Sequence, residues 1–302
     1  MPIIKIVYIV CPILIIIFTT LLIIIYSKDK YFQGNASNPK SKLTLYPCYF
    51  NIFFCVIIVL NNVLRIIPES LTIDASDNDH SSALCWIQAF MLSLLDKLLI
   101  ALMTVYSVIN YLSQFHSDFY KNNLKKIYLT LIAIGFSLSL ILSSIYIGEG
   151  TSLKDVLCYI HTRITFKIIS DGIYTVLLFV INLYCLIKII INLVNLNNQY
   201  MNEQNLIKYK KSNHFLKRFI FDLIINVVAF VYIFLVVMKT FPAGSYKDII
   251  YIITCLAVEL FYTINESLYK AFIRLITCNK YYPLEESSTN NQEETQDEED
   301  CA

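Results

Sequence analysis

Glycine, proline and histidine are scarce in this chain, which has six, seven and four of them among 302 residues. Secondary transporters usually contain helices broken by glycine or proline, together with internal repeats. Only two glycines, Gly135 and Gly172, fall within apolar runs. The prolines lie mostly at the predicted helix ends, as at Pro47, Pro68 and Pro242, and no repeated halves are visible. These features argue against a transporter.

Motifs of several enzyme and cofactor classes are also absent. The chain has no H-E-x-x-H, C-x-x-C or G-x-x-x-x-G-K-[ST] sequence. Its four histidines are scattered over predicted loops on both sides of the membrane, which argues against a shared metal site. We therefore expect no enzyme, no metal, no cofactor and no nucleic-acid partner.

Charge is sparse and apolar residues are abundant. Charged residues make up 16% of the chain and hydrophobic residues 57%, against about 25% and about 45–50% in soluble proteins. A helix needs about 20 apolar residues to cross a bilayer core of about 30 Å. Seven runs of that length predict an all-α membrane protein, a bundle of seven transmembrane helices. The runs are Ile6–Tyr26, Tyr46–Ile67, Leu84–Leu112, Ile127–Ile147, Ile164–Val194, Leu216–Met238 and Ile249–Tyr269.

The distribution of cations predicts the orientation. Sixteen lysines and arginines flank the predicted membrane domain on the side of the first, third and fifth loops and the C-terminus, and only five lie on the other side. Cytoplasmic loops carry the excess of lysine and arginine. The N-terminus is therefore expected outside and the C-terminus in the cytoplasm.

Two cysteines lie on segments that this orientation places outside. Cys85 is at the outer start of the third helix, and Cys158 is in the outer loop between the fourth and fifth helices. Disulfides persist on the oxidising side of a membrane. We expect a Cys85–Cys158 disulfide, with two unrelated thiols as the alternative.

The topology and this cysteine pair resemble the G-protein-coupled receptor superfamily over essentially the whole membrane region. The segment Cys85–Phe90 resembles the C-x-x-Q-[GA] start of the third helix in the cAMP-receptor-like and secretin-like branches. Motifs of the rhodopsin-like branch are mostly missing. The third helix ends without Asp-Arg-Tyr, and the seventh keeps Asn265 and Tyr269 of N-P-x-x-Y without the proline. The resemblance implies an atypical receptor in which Asn265 and Tyr269 act as a switch.

Charged residues inside the predicted helices need a reason, because each costs about 2.5–3.5 kcal/mol on insertion scales. Asp96 and Lys97 lie 11 and 12 residues after Cys85, or about 16–18 Å into the bilayer. Glu259 lies 11 residues after Asp248, at a similar depth in the seventh helix. We hypothesise an intramembrane lock between Lys97 and Glu259, and the alternative is a static ion pair that sets helix packing.

Other polar and aromatic residues near the outer face are candidates for a ligand pocket, with lipid-facing roles as the alternative for the cations. They are Arg65, Lys167, Trp86, Gln88, Tyr174 and Tyr251. Residues near the inner face could contact a G protein, although topology alone explains most of these charges. They are Phe115, His116, Lys210, Lys211 and Arg218.

The C-terminal part changes character after the last run. Lys270–Cys278 predicts a short amphipathic helix on the inner leaflet, and Cys278 is a lipidation candidate. Residues 281–302 are acidic and polar, which predicts a disordered cytoplasmic tail. The phosphorylation candidates in this tail are Ser287, Ser288, Thr289 and Thr295.

These patterns together predict a seven-transmembrane receptor-like domain over residues 1–280 and a multi-pass protein of the plasma membrane. Such a receptor would sense an extracellular ligand and signal through its cytoplasmic loops to a heterotrimeric G protein. The alternative is a secondary transporter or a seven-helix membrane protein that does not couple.

Overall fold

The computed structural model describes residues 2–28, 39–66, 83–145, 150–154, 157–161, 172–203 and 205–237. Within these ranges the chain forms six long helices and one two-stranded hairpin. In chain order they are α1 (Pro2–Lys28), α2 (Pro39–Ile66), α3 (Ala83–Phe115), α4 (Ser117–Ser144), β1 (Gly150–Lys154), β2 (Leu157–His161), α5 (Tyr174–Asn202) and α6 (Leu206–Val237). The described parts of the first six apolar runs each fall mainly on one of these helices, and the seventh run lies outside the described residues.

Four of these helices are long and apolar enough to cross a bilayer. The spans are Tyr46–Leu64 in α2, Trp86–Phe115 in α3, Ser117–Ser144 in α4 and Tyr174–Asn202 in α5. Large apolar side chains stand exposed along α4 and α5, including Leu129, Ile141, Leu177 and Val180. Contiguous apolar surface of this kind is rare on soluble monomers and suits contact with lipid. The chain is therefore a membrane-embedded protein.

The third helix lies at the centre of the described bundle. It contacts α2, α4 and α5 and also both strands of the hairpin. The apolar span of α3 is 67% buried, against 44% for α2 and 28% for both α4 and α5. The outer helices pack in pairs, α1 against α2 and α5 against α6, and α2 also contacts α4. Several polar side chains of α3 therefore lie within reach of neighbouring helices.

The buried apolar side chains form three clusters that hold these contacts. The largest joins α2, α3 and α4 and includes Phe54, Leu98 and Tyr128. A second lies between α1 and α2, and a third between α5 and α6. In lipid, helix association depends on close packing and interhelical hydrogen bonds more than on apolar burial. Polar contacts between helices therefore help to determine how the helices pack against one another.

The connections on the predicted inner side are shorter than the sequence suggests. Only His116 separates α3 from α4, and only residues 203–205 separate α5 from α6. The helices extend beyond the apolar runs because the flanking residues are lysine, asparagine and glutamine without glycine or proline to stop them. The expected basic loop between the fifth and sixth helices is thus mostly helical. One irregularity is Asn123, whose φ of −121° and ψ of 16° break α4 near its start.

The segment between α4 and α5 contains the hairpin, which the sequence analysis did not predict. Its strands are antiparallel, with Gly150 opposite His161 and Lys154 opposite Leu157. The strand β2 carries Cys158 and contacts α3, the helix that carries Cys85. The backbone thus brings the two segments that bear these cysteines against each other.

The prolines are placed differently from the expectation. Pro47 lies inside α2 because this helix begins at Pro39, and Pro12 lies inside α1. The prediction that Pro47 marks a helix end is therefore wrong. Proline in a membrane helix is tolerated where neighbouring groups satisfy the freed backbone carbonyl.

Candidate functional site

Asp96 and Lys97 lie at the middle of α3, where the apolar run predicts the bilayer centre. The Asn61 Nδ2 group on α2 donates a hydrogen bond of 2.6 Å to Asp96 Oδ1. Asn61 is itself 1% exposed, so this bond is a contact inside the bundle. A carboxylate at this depth needs such donors to offset its desolvation. The pair couples the central helix to α2.

Lys97 is also enclosed, with only 5% of its surface exposed. Its Nζ group donates a hydrogen bond of 2.7 Å to Ser93 Oγ, one turn earlier on α3. A buried ammonium in a membrane helix faces the bundle interior and not the lipid. The proposed partner Glu259 lies outside the described residues, so the lock between them stays a prediction.

Tyr174, at the start of α5, joins three helices through its hydroxyl. The hydroxyl lies 3.1 Å from Ser139 Oγ on α4 and donates to the Lys97 carbonyl oxygen on α3 at 3.4 Å. Ser139 Oγ in turn donates to the Gly135 carbonyl oxygen at 2.8 Å. Because Tyr174 is 5% exposed, this arrangement is an enclosed bridge. Its place next to Lys97 connects the polar centre of α3 to α4 and α5.

The outer part of α3 holds two further predicted residues. Gln88 is 2% exposed, and its Nε2 group donates to the Leu64 carbonyl oxygen of α2 at 2.8 Å. Its Oε1 atom is buried without a hydrogen-bond partner within the described part of the chain. Trp86 is half-buried and stacks on Phe90, with ring centroids 5.2 Å apart. The C-x-x-Q segment therefore ties α3 to α2 and leaves one buried acceptor.

A polar network that the sequence analysis missed joins α5 and α6. Asn182 Nδ2 donates to Asn226 Oδ1 at 2.6 Å, and Asn226 Nδ2 donates to Asp222 Oδ1 at 2.7 Å. All three side chains are buried, Asp222 at 1% exposed. Their presence in apolar runs was the available signal, because a polar residue inside a membrane helix usually faces the bundle interior. The same signal applied to Asn61 on α2.

Nearer the ends of the helices that the sequence predicts to be cytoplasmic, a contact joins α3 and α6. The Arg218 guanidinium Nη2 lies 3.4 Å from the hydroxyl of Tyr106. Arg218 is half-buried, and the i, i+4 spacing on α6 places Arg218 and Asp222 on one face. Part of the Arg218 side chain thus lies against the central helix, and its predicted contact with a G protein stays a prediction.

The remaining predicted inner residues are more accessible. Phe115 and His116 are exposed where α3 meets α4, and both rings lie against Tyr111, at 4.8 and 6.0 Å between centroids. Lys210 is exposed on α6. These three side chains are therefore able to contact a protein partner.

Many predicted site residues lie outside the described part of the chain. For Cys85, Cys158, Arg65 and Lys211 the backbone is described but the side chain is not, so the disulfide stays a prediction. The others lie wholly outside: Lys167, Tyr251, Glu259, Asn265, Tyr269, Cys278, Ser287, Ser288, Thr289 and Thr295.

Metal and thiol chemistry finds no support in the described ranges. These ranges contain no group of three or more histidine, cysteine, aspartate or glutamate side chains that could hold a metal ion. Cys48, Cys55 and Cys185 are buried within the bundle and take part in no disulfide among the described residues. Buried cysteines outside disulfides act as small apolar residues.

Comparison with known proteins gives no family for this chain. No protein-family model matches it, and no curated protein matches it at a significant level.

Proposed function

We propose that the chain is an atypical receptor of the G-protein-coupled type, with seven membrane spans, the N-terminus outside and the C-terminus in the cytoplasm. An extracellular ligand binds near the outer end of the bundle and shifts it between two states. The inner ends of the helices report that shift to a heterotrimeric G protein. The run at 249–269 supplies the seventh span, and the plasma membrane is the site of action.

One observation carries this proposal: α3 is the central helix and contacts α2, α4, α5 and the hairpin. A receptor needs an element that touches most of the bundle, because a ligand can shift an equilibrium only through contacts that differ between the two states. Polar contacts along α3 couple it to its neighbours from Gln88 near one end to Tyr106 near the other. Displacement of α3 would therefore alter contacts at both membrane faces.

The second support is the hairpin over the central helix. Its strand β2 carries Cys158 and contacts α3, which carries Cys85 in its first turn. In this proposal a disulfide ties the outer loop to the central helix and shapes the entrance to the ligand site. The nearby Gln88, whose Oε1 is buried and has no hydrogen-bond partner among the described residues, supplies an acceptor for a ligand donor group.

The experiment that tests the proposal measures second-messenger and G-protein responses in cells that express the chain at the surface. The readouts are cAMP, calcium and dissociation of each G-protein class, in wild type and in Cys85→Ser. The matched control is Cys185→Ser, because Cys185 is a buried free thiol inside the bundle. We expect basal or ligand-evoked output that falls several-fold with Cys85→Ser and little with Cys185→Ser.

Silence of every G-protein reporter, from wild-type protein shown to be at the surface, would contradict coupling. We would then assign the chain to the alternative class, a secondary transporter or a seven-helix protein that does not couple to G proteins. Equal loss of output in both cysteine variants would contradict the specific role of Cys85.

A further inference from the structure

The helices α5 and α6 form an antiparallel pair, distinct from the β1–β2 hairpin, whose closed end extends beyond the membrane. We call residues 198–217 at this closed end of the helix pair the hairpin tip. With 29 residues, α5 is about 43 Å long, which exceeds a hydrocarbon core of about 30 Å by about 13 Å. Its polar residues Asn195, Asn198 and Gln199 lie at the C-terminal end, so the excess length lies there.

The sixth helix gives the same extent independently. Its apolar run begins at Leu216, ten residues after its start at Leu206, and ten helical residues cover about 15 Å. The headgroup layer on each side of a bilayer is only about 5–8 Å thick. The hairpin tip therefore reaches past the headgroups into the aqueous phase.

The surface of the hairpin tip combines cations with exposed apolar residues. Lys208, Lys210 and Lys217 are exposed, and Lys211 adds a fourth cation by sequence. Glu203 is the one acidic residue of the segment, and it accepts a hydrogen bond from Gln199. Three apolar side chains stand at the turn, and Ile207 is 75% exposed there, with Met201 and Leu206 each above 60%. Such a surface suits a ligand that is acidic and partly apolar.

The chain itself contains a segment of matching chemistry. Residues 281–300 carry eight carboxylates and no lysine or arginine, and Tyr281, Tyr282 and Leu284 precede the first of them. Twenty residues can span up to about 65–70 Å when extended, more than the width of a helix bundle. In residues 281–300 the apolar residues come before the acids. In the hairpin tip the apolar residues of the turn likewise come before the lysines.

We infer that residues 281–300 dock on the hairpin tip and cover the surface that the proposed function assigns to the G protein. The inference rests on the proposed function for one point, that both segments are cytoplasmic. The acids pair with the exposed lysines, and the apolar residues cover Ile207 and its neighbours. Phosphorylation of Ser287 or Ser288 adds about 1.5–2 negative charges per site and tightens the contact. The tail thus competes with the transducer for one surface.

The test uses the full chain in membranes, with a photoreactive benzoylphenylalanine at Ile207 and mass-spectrometric identification of the cross-linked peptide. The control position is Ile141, which is 61% exposed on α4. We expect Ile207 to cross-link to peptides from 281–300 and Ile141 to lipid only. Because 1 M salt shortens the screening length from about 10 Å to about 3 Å, the tail cross-link should weaken in 1 M NaCl.

A matched pair of variants separates this docking from a general charge effect. Each exposed ion pair contributes only modestly, so the three changes are combined in one variant. Together, Lys208→Gln, Lys210→Gln and Lys217→Gln should lower the yield of the tail cross-link at least about fivefold. The control changes three exposed lysines of α4, Lys121, Lys125 and Lys126, to Gln and should leave the yield within about twofold. Equal losses in the two triple variants would overturn the inference.

Other outcomes are equally decisive. Cross-links from Ile207 to lipid or to another protein, without tail peptides, would overturn the inference. They would show that this partner, and not the tail, covers the hairpin tip. Ser287→Glu with Ser288→Glu should raise the yield, and a fall would contradict the charge argument. The cross-link does not depend on signalling, so silent G-protein reporters with an intact tail cross-link would remove the proposed function and leave the docking in place.

Discussion

Asn182 of α5 donates a hydrogen bond of 2.6 Å to Asn226 of α6, and both side chains are buried within the helix bundle. Asn226 also donates to Asp222 at 2.7 Å, so the bond extends into a chain of three polar groups. Without α6 the Asn182 side chain would lose this partner, whereas Asn226 would keep its bond to Asp222 within its own helix. The pair therefore fixes the register of α5 against α6.

Loss of this pair should loosen the two helices. Interhelical hydrogen bonds in membranes are worth about 0.6 kcal/mol on average and up to about 1.7. We expect Asn182→Leu to lower the apparent Tm of the purified protein by about 1–4 °C. Asn195→Leu, at an exposed position of α5, is the control. A double-mutant cycle with Asn226→Leu should give a coupling energy within that range, and strictly additive effects would show that the bond contributes nothing.

Tyr174→Phe should weaken the junction of α3, α4 and α5. The change removes one hydroxyl and leaves Ser139 bonded to the Gly135 carbonyl oxygen, so no orphaned donor results. A loss of about 0.5–1.5 kcal/mol is expected, measured as thermal stability in detergent. Tyr49→Phe is the control, because Tyr49 is 57% exposed on α2. An unchanged Tm in the Tyr174 variant would mean that the hydroxyl has an equally good partner in the unfolded membrane state.

Close packing of α3 and α4 depends on Gly135. A Cβ atom at this position would lie 3.2 Å from the Cβ of Ala101, tighter than ordinary contact. Gly135→Ala should cost about 1 kcal/mol, and Gly135→Leu should separate the helices and abolish surface expression. Adding Ala101→Gly to Gly135→Ala should restore stability. The control, Ala133→Leu, also introduces a leucine but on an exposed side of α4, and it should be tolerated.

The sequence predicts that the buried Lys97 of α3 pairs with Glu259. Lys97→Glu should reduce surface expression or signalling several-fold, because it places a carboxylate one residue from Asp96 at the centre of a membrane helix. Combining it with Glu259→Lys should restore both readouts. Lys125→Glu, an exposed change on α4, serves as the control. Absence of rescue in the double variant would end the pairing hypothesis.

The sequence predicted the membrane class and the positions of six helices well, because hydropathy over 20 residues is a strong signal. It underestimated the inner ends of α3, α5 and α6, where polar residues continue a helix that the bilayer no longer requires. It also missed the hairpin, since Gly150–Lys154 and Leu157–His161 are five-residue strands whose pairing depends on tertiary contact with α3. Short strands carry little periodicity for a sequence argument to use.

The candidate site was predicted unevenly. Asp96 and Lys97 were found because charge in an apolar run is conspicuous, whereas Asn61, Asn182 and Asn226 were passed over in a chain with many asparagines. Which of these polar residues face each other depends on helix rotation and neighbour choice. Those features follow from side-chain packing across the bundle, and one chain without a structure does not reveal them.

The three-residue turn between α5 and α6 has a consequence for how the protein is made. A chain emerging into the membrane would present α6 with Asp222, whose lone insertion costs about 2.5–3.5 kcal/mol. Since α5 has just preceded it and the turn spans only 203–205, Asn182 is available as soon as Asn226 arrives. The two helices are thereby suited to enter the bilayer as one antiparallel unit, with their polar groups already shared. During biogenesis α5 and α6 would then insert into the membrane as a pair and not one after the other.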